Sequence, residues 1–252
     1  MSVAGKHIVV TGGGTGVGRA MAEAFAHADA KVTILGRREA QLREVAAQHR
    51  YIGWVVCDVT DSSAVKAAFL QARGLNGPVS VVVANAGAAE SVPFARMTPE
   101  QLQNMLAVNV GGVMNSWQAA LPDMKAEGWG RLIAVASTAG LKGFPYVSGY
   151  AAAKHAVIGL TRSVALELGD CGVTVNALCP GFIETPMLER SIANIKDKTG
   201  MDEMTARASL VAGNPQGRFI QPDEVAGAAL WLCSEVARSI NGHALAISGG
   251  EI

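Results

Sequence analysis

Tyr150 and Lys154 stand four residues apart in YAAAK, with only alanine between them. On a helix that spacing puts both side chains on one face, their Cβ atoms roughly 5–6 Å apart. Alanine favours the helix and adds no bulk around the pair. An ammonium held beside a phenol stabilises the phenolate and lowers a pKa that is otherwise ~10. A lone YxxxK is also what a solvated helix can carry by accident, so other residues must decide its meaning.

A second chemistry-bearing segment is TGGGTGVG, Thr11 to Gly18, in which Gly12, Gly16 and Gly18 form a GxxxGxG spacing. It follows an apolar run and precedes the helical pattern RAMAEAFAHA. A glycine turn feeding a helix N-terminus offers backbone N–H groups and the positive end of the helix dipole to a pyrophosphate. Downstream, ILGRRE has Gly36 where an acid would otherwise bond a ribose 2′-OH, followed by Arg37 and Arg38. Two guanidinium groups there suit a 2′-phosphate, so NADP(H) is favoured and NAD(H) remains possible. Thr15 in the glycine loop is not basic and supplies no second cation.

These segments need a frame to hold them. Short β-branched runs alternate with helical patterns along the chain: 7–11, 31–35, 53–57, 79–83, 132–137, 173–178 and 244–248. Most are continuously apolar, as strands covered by helices on both faces are. Right-handed crossovers between them make an α/β, doubly wound parallel sheet of about seven strands. No linker or repeat divides the 252 residues, which predicts a single domain over 1–252. Twenty-one basic and twenty-one acidic side chains balance to zero net charge, which argues against a nucleic-acid partner and for a small molecule. Cys57, Cys171, Cys179 and Cys233 lie far apart without a CxxC pair, as reduced thiols of a cytoplasmic protein do. No apolar stretch approaches the roughly 18 residues of a membrane span, and no export signal is visible. The histidines, at 7, 27, 49, 155 and 243, lack ligand spacing, so no metal is expected. The absence of GxSxG argues against a serine hydrolase.

With the glycine loop and YxxxK on one chain, the sequence resembles the short-chain dehydrogenase/reductase family over essentially its whole length. The ordered set carries the resemblance: Thr11 to Gly18, NAG at 85–87, Asn109, Ser137 thirteen residues before Tyr150, Lys154, and Pro180-Gly181. Ala84 stands where many members have a first Asn, which removes a structural hydrogen bond. The resemblance implies a Rossmann-type fold and a catalytic tetrad of Asn109, Ser137, Tyr150 and Lys154. Tyr150 would transfer the proton, Ser137 would bond the substrate oxygen, and Lys154 would tune Tyr150 and hold the nicotinamide ribose. Asn109 would keep a water in the relay. It further implies cofactor contacts from Gly12, Thr15, Gly16, Val17, Gly18, Arg37, Arg38, Asp58, Val59, Asn85, Ala86, Gly87, Pro180, Gly181, Ile183 and Thr185, besides Tyr150 and Lys154. Asp58 would accept from the adenine amino group, unless it caps the helix beginning near Asp61. Ile183 and Thr185 would meet the carboxamide.

A substrate lid is expected over 184–217, with Met187 and other apolar residues forming a wall. Ala139, Val147 and Phe182 occupy pocket positions where members that bind small hydroxy-carboxylates resemble one another in placing His, Lys and Trp, so that anchor is missing. EGWG and DCG, ahead of the fifth and sixth strands, lack the bases with which members dock an acyl carrier protein. CPGFIETPM is similar to 3-oxoacyl and polyketide ketoreductases. The expected activity interconverts an apolar ketone, or a 3-oxoacyl thioester, with a secondary alcohol. Alternatives are an NAD-dependent secondary-alcohol or 3-hydroxyacyl dehydrogenase, an epimerase or dehydratase with bound dinucleotide, and a non-catalytic NADP(H)-sensing or scaffold protein. Apolar residues around the helical stretches 101–121 and 151–168 predict a homo-oligomer, a tetramer by the resemblance.

Overall fold

The computed structural model describes residues 3–252. Seven strands, β1 (His7–Thr11), β2 (Lys31–Gly36), β3 (Ile52–Val56), β4 (Val79–Ala84), β5 (Gly130–Val135), β6 (Val173–Pro180) and β7 (Ala244–Ile247), form one sheet. Its order is β3-β2-β1-β4-β5-β6-β7, and every pairing is parallel. The chain is a Rossmann-like α/β fold. Its direction of winding reverses between β1 and β4, which opens a crevice at the carboxyl ends of the strands, where ligands of such sheets bind.

Alternate strand residues feed opposite layers, because successive side chains of a strand point to opposite faces. Ile8, Val10, Ile34, Val81 and Val83 pack with Met21, Phe25, Leu42, Val225 and Leu232. These come from helices α1 (Gly16–His27), α2 (Glu39–Ala46) and α9 (Pro222–Leu232). Val9, Leu35, Val82, Leu132 and Val175 pack instead with Phe69, Trp117, Met124 and Val157, from α3 (Ser62–Asn76), α5 (Gly112–Glu127) and α6 (Ser148–Glu167). With both faces covered, β1, β4, β5 and β6 are buried along their whole length, hence the continuous apolar runs.

The helical stretch expected over 101–121 is interrupted. Helix α4 (Pro99–Leu106), started by a Thr98–Gln101 capping box, passes through a π-helical turn over Ala107–Gly111 before α5 begins. The strandless 184–243 region holds α7 (Pro186–Thr199), α8 (Glu203–Val211) and α9. Leu188, Ile192 and Ala206 of α7 and α8 form a small cluster of their own. Among the described residues no helix is long and apolar enough to cross a membrane, and no His/Cys/Asp/Glu group could hold a metal ion.

Candidate active site

The glycine loop leaves β1 and is fastened from β4. Thr11 Oγ1 accepts from the backbone N–H of both Asn85 and Ala86 at 3.0 Å, and Asn85 Nδ2 donates to the carbonyls of Thr11 and Gly12. Asn85 therefore positions the loop. Gly12 and Gly16 have φ of +66° and +55°, which a side chain tolerates poorly. A Cβ on Gly18 would run into the Gly12 carbonyl and Asn85 Nδ2. Thr185, at the N-cap position of α7 but without a side-chain capping bond, faces Gly16, and Thr185 Oγ1 donates to the Ile183 carbonyl at 3.2 Å. Pro180 pairs with Ile247 at the end of β6, and the Gly181 N–H donates to the same residue's carbonyl.

At the β2 end, Arg37 leans toward Asp58, with Nη1 3.8 Å from Oδ2, while Arg38 Nη2 lies 3.4 Å from Thr15 Oγ1. Arg38 thus crosses to the glycine loop that lacks a base of its own. Asp58 Oδ1 accepts from Thr60 N and Oγ1, and these bonds, more than Arg37, hold its carboxyl below the usual range. The helix cap is Asp61, which accepts from Ser63 and Ala64. Val59 is buried, its carbonyl accepting from Asn115 Nδ2 at 2.9 Å.

Catalytic candidates gather at the carboxyl ends of β4 and β5. Ser137, two residues past β5, caps a short 3-10 turn, and its Oγ accepts from Ala139 N at 3.1 Å. Its hydroxyl hydrogen is left for another acceptor. Tyr150 and Lys154 lie on α6, the ammonium 5.5 Å from the phenol ring centre. Lys154 Nζ donates to the Val135 carbonyl at 2.8 Å in a buried setting, and burial pushes its pKa down to about 8. The expected downward pull on the phenol is not its balance in the chain alone. Burial moves Tyr150 upward, with the Ser137 hydrogen bond opposing. Asn109 sits in the π-helical turn, fully buried, with Nδ2 donating to the carbonyls of Ala88 and Met105. Its Oδ1 has no partner. A Cβ on Gly87 would sit 2.8 Å from that oxygen and 3.6 Å from Lys154 Nζ, so glycine keeps open the space between them. A buried, unpaired acceptor calls for a polar occupant, and a π-helical turn is a frequent device for turning a side chain into a site.

The substrate side is less polar. Ala139 is buried, Val147 precedes α6 at its N-cap, Met187 is exposed, and Phe182 meets Phe144 edge-on at 6.3 Å. A narrow cavity beside Tyr150 is lined by Val92, Met97, Gln101, Met105 and Tyr146, none of which the sequence singles out. Nor does the sequence reveal that Lys142, after β5, pairs at 2.9 Å with Glu251, whose side chain is only 6% exposed.

A parallel sheet with a glycine cradle at its switch point and a phenol, an ammonium and a hydroxyl around one spot defines a dinucleotide-dependent enzyme. Residues 6–196 match the short chain dehydrogenase family, and the chain belongs to it. It is 33% identical to D-beta-hydroxybutyrate dehydrogenase of Cupriavidus necator, over 98% of this chain and 97% of that protein. A crystal structure of an actinorhodin polyketide ketoreductase variant with NADPH has a TM-score of 0.95 and 30% identity, covering 100% and 98% of the two chains. A 3-ketoacyl-(acyl-carrier-protein) reductase of Brucella melitensis complexed with NADH has a TM-score of 0.90 and 32% identity, covering 99% of each. The protein is an oxidoreductase of the class that interconverts secondary alcohols and ketones, and a nicotinamide cofactor fits its glycine cradle.

Proposed function

We propose that the protein reduces an apolar ketone, or a 3-oxoacyl thioester, to the secondary alcohol with NADP(H), and that Tyr150 is its general acid. The observation that carries this reading is the meeting of Tyr150, Ser137, Lys154 and the unpaired Asn109 Oδ1 around one space. A phenol pushed upward by burial keeps its proton at neutral pH, which suits donation to a ketone oxygen as charge builds there. Ser137 donates the second hydrogen bond to that oxygen. Lys154, largely an ammonium below about pH 8, stabilises the phenolate left behind and holds the nicotinamide ribose. Asn109 Oδ1 keeps a water through which the phenolate regains its proton. When bound, the cofactor supplies the hydride. Gly12, Thr15, Gly16, Val17 and Gly18 cradle the pyrophosphate, Asp58 and Val59 flank the adenine, Asn85 to Gly87 floor the ribose, and Pro180 to Thr185 face the carboxamide.

Arg37 and Arg38 carry the NADP(H) preference. The 3.8 Å Arg37–Asp58 pair, exposed on both sides, favours NAD(H) as a second reading, because it engages one arginine with the chain's own acid. An apolar substrate is supported by Ala139, Val147 and Phe182, and by Glu251 neutralising Lys142. The hydroxy-carboxylate of the Cupriavidus relative finds no free cation among these positions. Residues 1–252 act as one catalytic domain in the cytoplasm, with 184–217, including Met187, as its lid. Exposed Met114 on α5 and Leu166 on α6 support pairing of these helices in a homotetramer, and a monomer at micromolar concentration in sedimentation removes that element. Near-UV absorbance of the reduced nicotinamide over a panel of ketones and both cofactors tests the whole. Turnover of none of them refutes it.

A further inference from the structure

Among the described residues two that are not glycine have positive φ, Asp29 at 61° and Tyr146 at 64°. Aspartate visits this region readily, whereas an aromatic residue there is a strained outlier. The ring of Tyr146 gains little in return from burial. Its side chain is 65% exposed, and its one recorded tie to the neighbouring loop is a backbone bond, the Val92 N–H donating to its carbonyl at 2.7 Å. Glycine would keep that bond without the strain. A strained backbone beneath an exposed ring is a feature that folding alone does not reward.

Tyr146 stands four residues before Tyr150 and lines with it the narrow, partly open cavity that Val92, Met97 and Met105 also line. Resting on the ketone-reductase reading above, the geometry points to Tyr146 as a specificity-determining residue: an aromatic wall against which the flat or cyclic apolar body of the substrate packs, with its carbonyl directed at Tyr150. Stacking on an aromatic face discriminates such bodies from small acyclic ketones, which are too short to reach it. Its contribution is roughly three- to tenfold in affinity.

The test separates binding from chemistry. In the Tyr150→Phe background with NADP⁺ present, 1-tetralone and 2-butanone are titrated by NMR into the protein with Tyr146 intact and into its Tyr146→Gly and Tyr146→Phe variants. Tyr146→Gly is expected to weaken 1-tetralone three- to tenfold, leave 2-butanone unchanged, and hold or raise the melting temperature. Tyr146→Phe is expected to retain 1-tetralone. Absence of 1-tetralone binding to the protein with Tyr146 intact, or equal binding after Tyr146→Gly, overturns the wall. Turnover is then measured with Tyr150 intact: 1-tetralone bound through Tyr146 but never reduced counts against the reductase reading and for the wall, whereas reduction unaffected by Tyr146→Gly does the reverse.

Discussion

Two regions meet at the proposed site and are built by different means. On the dinucleotide side, Thr11, Asn109 and Lys154 are each at most 5% exposed, and the loop ends are joined by hydrogen bonds across 70 or more residues of sequence. On the side of the proposed lid, α7 and α8 share a three-residue buried cluster and are tied mainly at the surface: Arg207 to Glu184 and Glu189, Lys196 to Glu203, and Lys198 to the Ser91 carbonyl. Exposed pairs of this kind contribute little each, about 0–1 kcal/mol. The comparison teaches that, under the proposed roles, the chemistry would rest on groups whose removal leaves a buried vacancy, while substrate access would rest on contacts that can open at small cost.

The largest effect expected of breaking the first region is on rate. Tyr150→Phe removes the proton but little volume, so turnover should fall by about 10²–10⁴-fold, with cofactor affinity nearly unchanged. Single-turnover kinetics and a cofactor titration check both halves, and retention of more than about a tenth of the rate would remove Tyr150 from its role. Lys154 sharpens the point because it is costly where it stands. Burial lowers its pKa from the ordinary 10.5 to about 8, so the folded state binds this proton less tightly than the unfolded chain. That cost is present in full below about pH 8 and is relieved as pH rises from about 8 toward 10.5. Lys154→Met should then weaken turnover and cofactor binding yet raise stability at pH 7 by about 2 kcal/mol, the lost bond to the Val135 carbonyl offsetting part of the gain. Melting curves at pH 7 and pH 10 should show the two proteins converging. A variant less stable at both values refutes the assignment of strain to the ammonium.

A smaller effect concerns cofactor choice. Gly36 offers no side-chain acceptor to a 2′-OH, and a charge-assisted bond from Arg37 to a 2′-phosphate is worth about 1.5–3 kcal/mol, roughly ten- to a hundredfold. Gly36→Asp with Arg37→Ile should move the ratio of kcat/KM values toward NAD(H) by that order. The change should leave Arg38 against Thr15, so the shift is expected to be incomplete. If the unaltered protein already turns over NAD(H) faster at equal low concentration, the Arg37–Asp58 pair is the better account of that arginine.

How much of this was legible beforehand follows the same division. All seven strands announced themselves as short β-branched or apolar runs, most clearly β1, β4, β5 and β6, which are buried along their whole length, and their observed ends differ from the expected ones by at most two residues. The glycine loop was legible because backbone geometry demands glycine at Gly12 and Gly16. What stayed hidden depends on tertiary proximity. Nothing local marks the π-helical turn that buries Asn109, the reach of Glu251 to Lys142 across 109 residues, or Arg38 bridging to Thr15. The upward push on Tyr150 escaped as well. Four-residue spacing gives the proximity of phenol and ammonium, while the water excluded around them is set by everything packed above.

The smallest effect is the one that most directly tests whether the two regions are separable. Arg207 on α8 donates from Nη2 to Glu184 at 3.0 Å and from Nη1 to Glu189 at 2.8 Å, with its guanidinium carbon 5.3 Å from the centre of the Phe219 ring. It therefore joins α8 to the turn after β6 and to the first turn of α7. Glu184 and Glu189 are about half exposed, and solvent screens both pairs. Arg207→Ala should lower global stability only slightly, because the sheet and its two main layers do not depend on it. It should instead loosen 184–217, speeding amide exchange there, and raise KM by about threefold with kcat nearly constant, since uniform binding is lost and the groups around Tyr150 are untouched. Hydrogen exchange read by mass spectrometry, with melting curves on the same samples, separates the outcomes. A loss of stability like that of a core truncation, or exchange that rises equally in β1 and β4, would mean that the lid and the dinucleotide half fold as one unit, and that surface ion pairs are not what holds the lid.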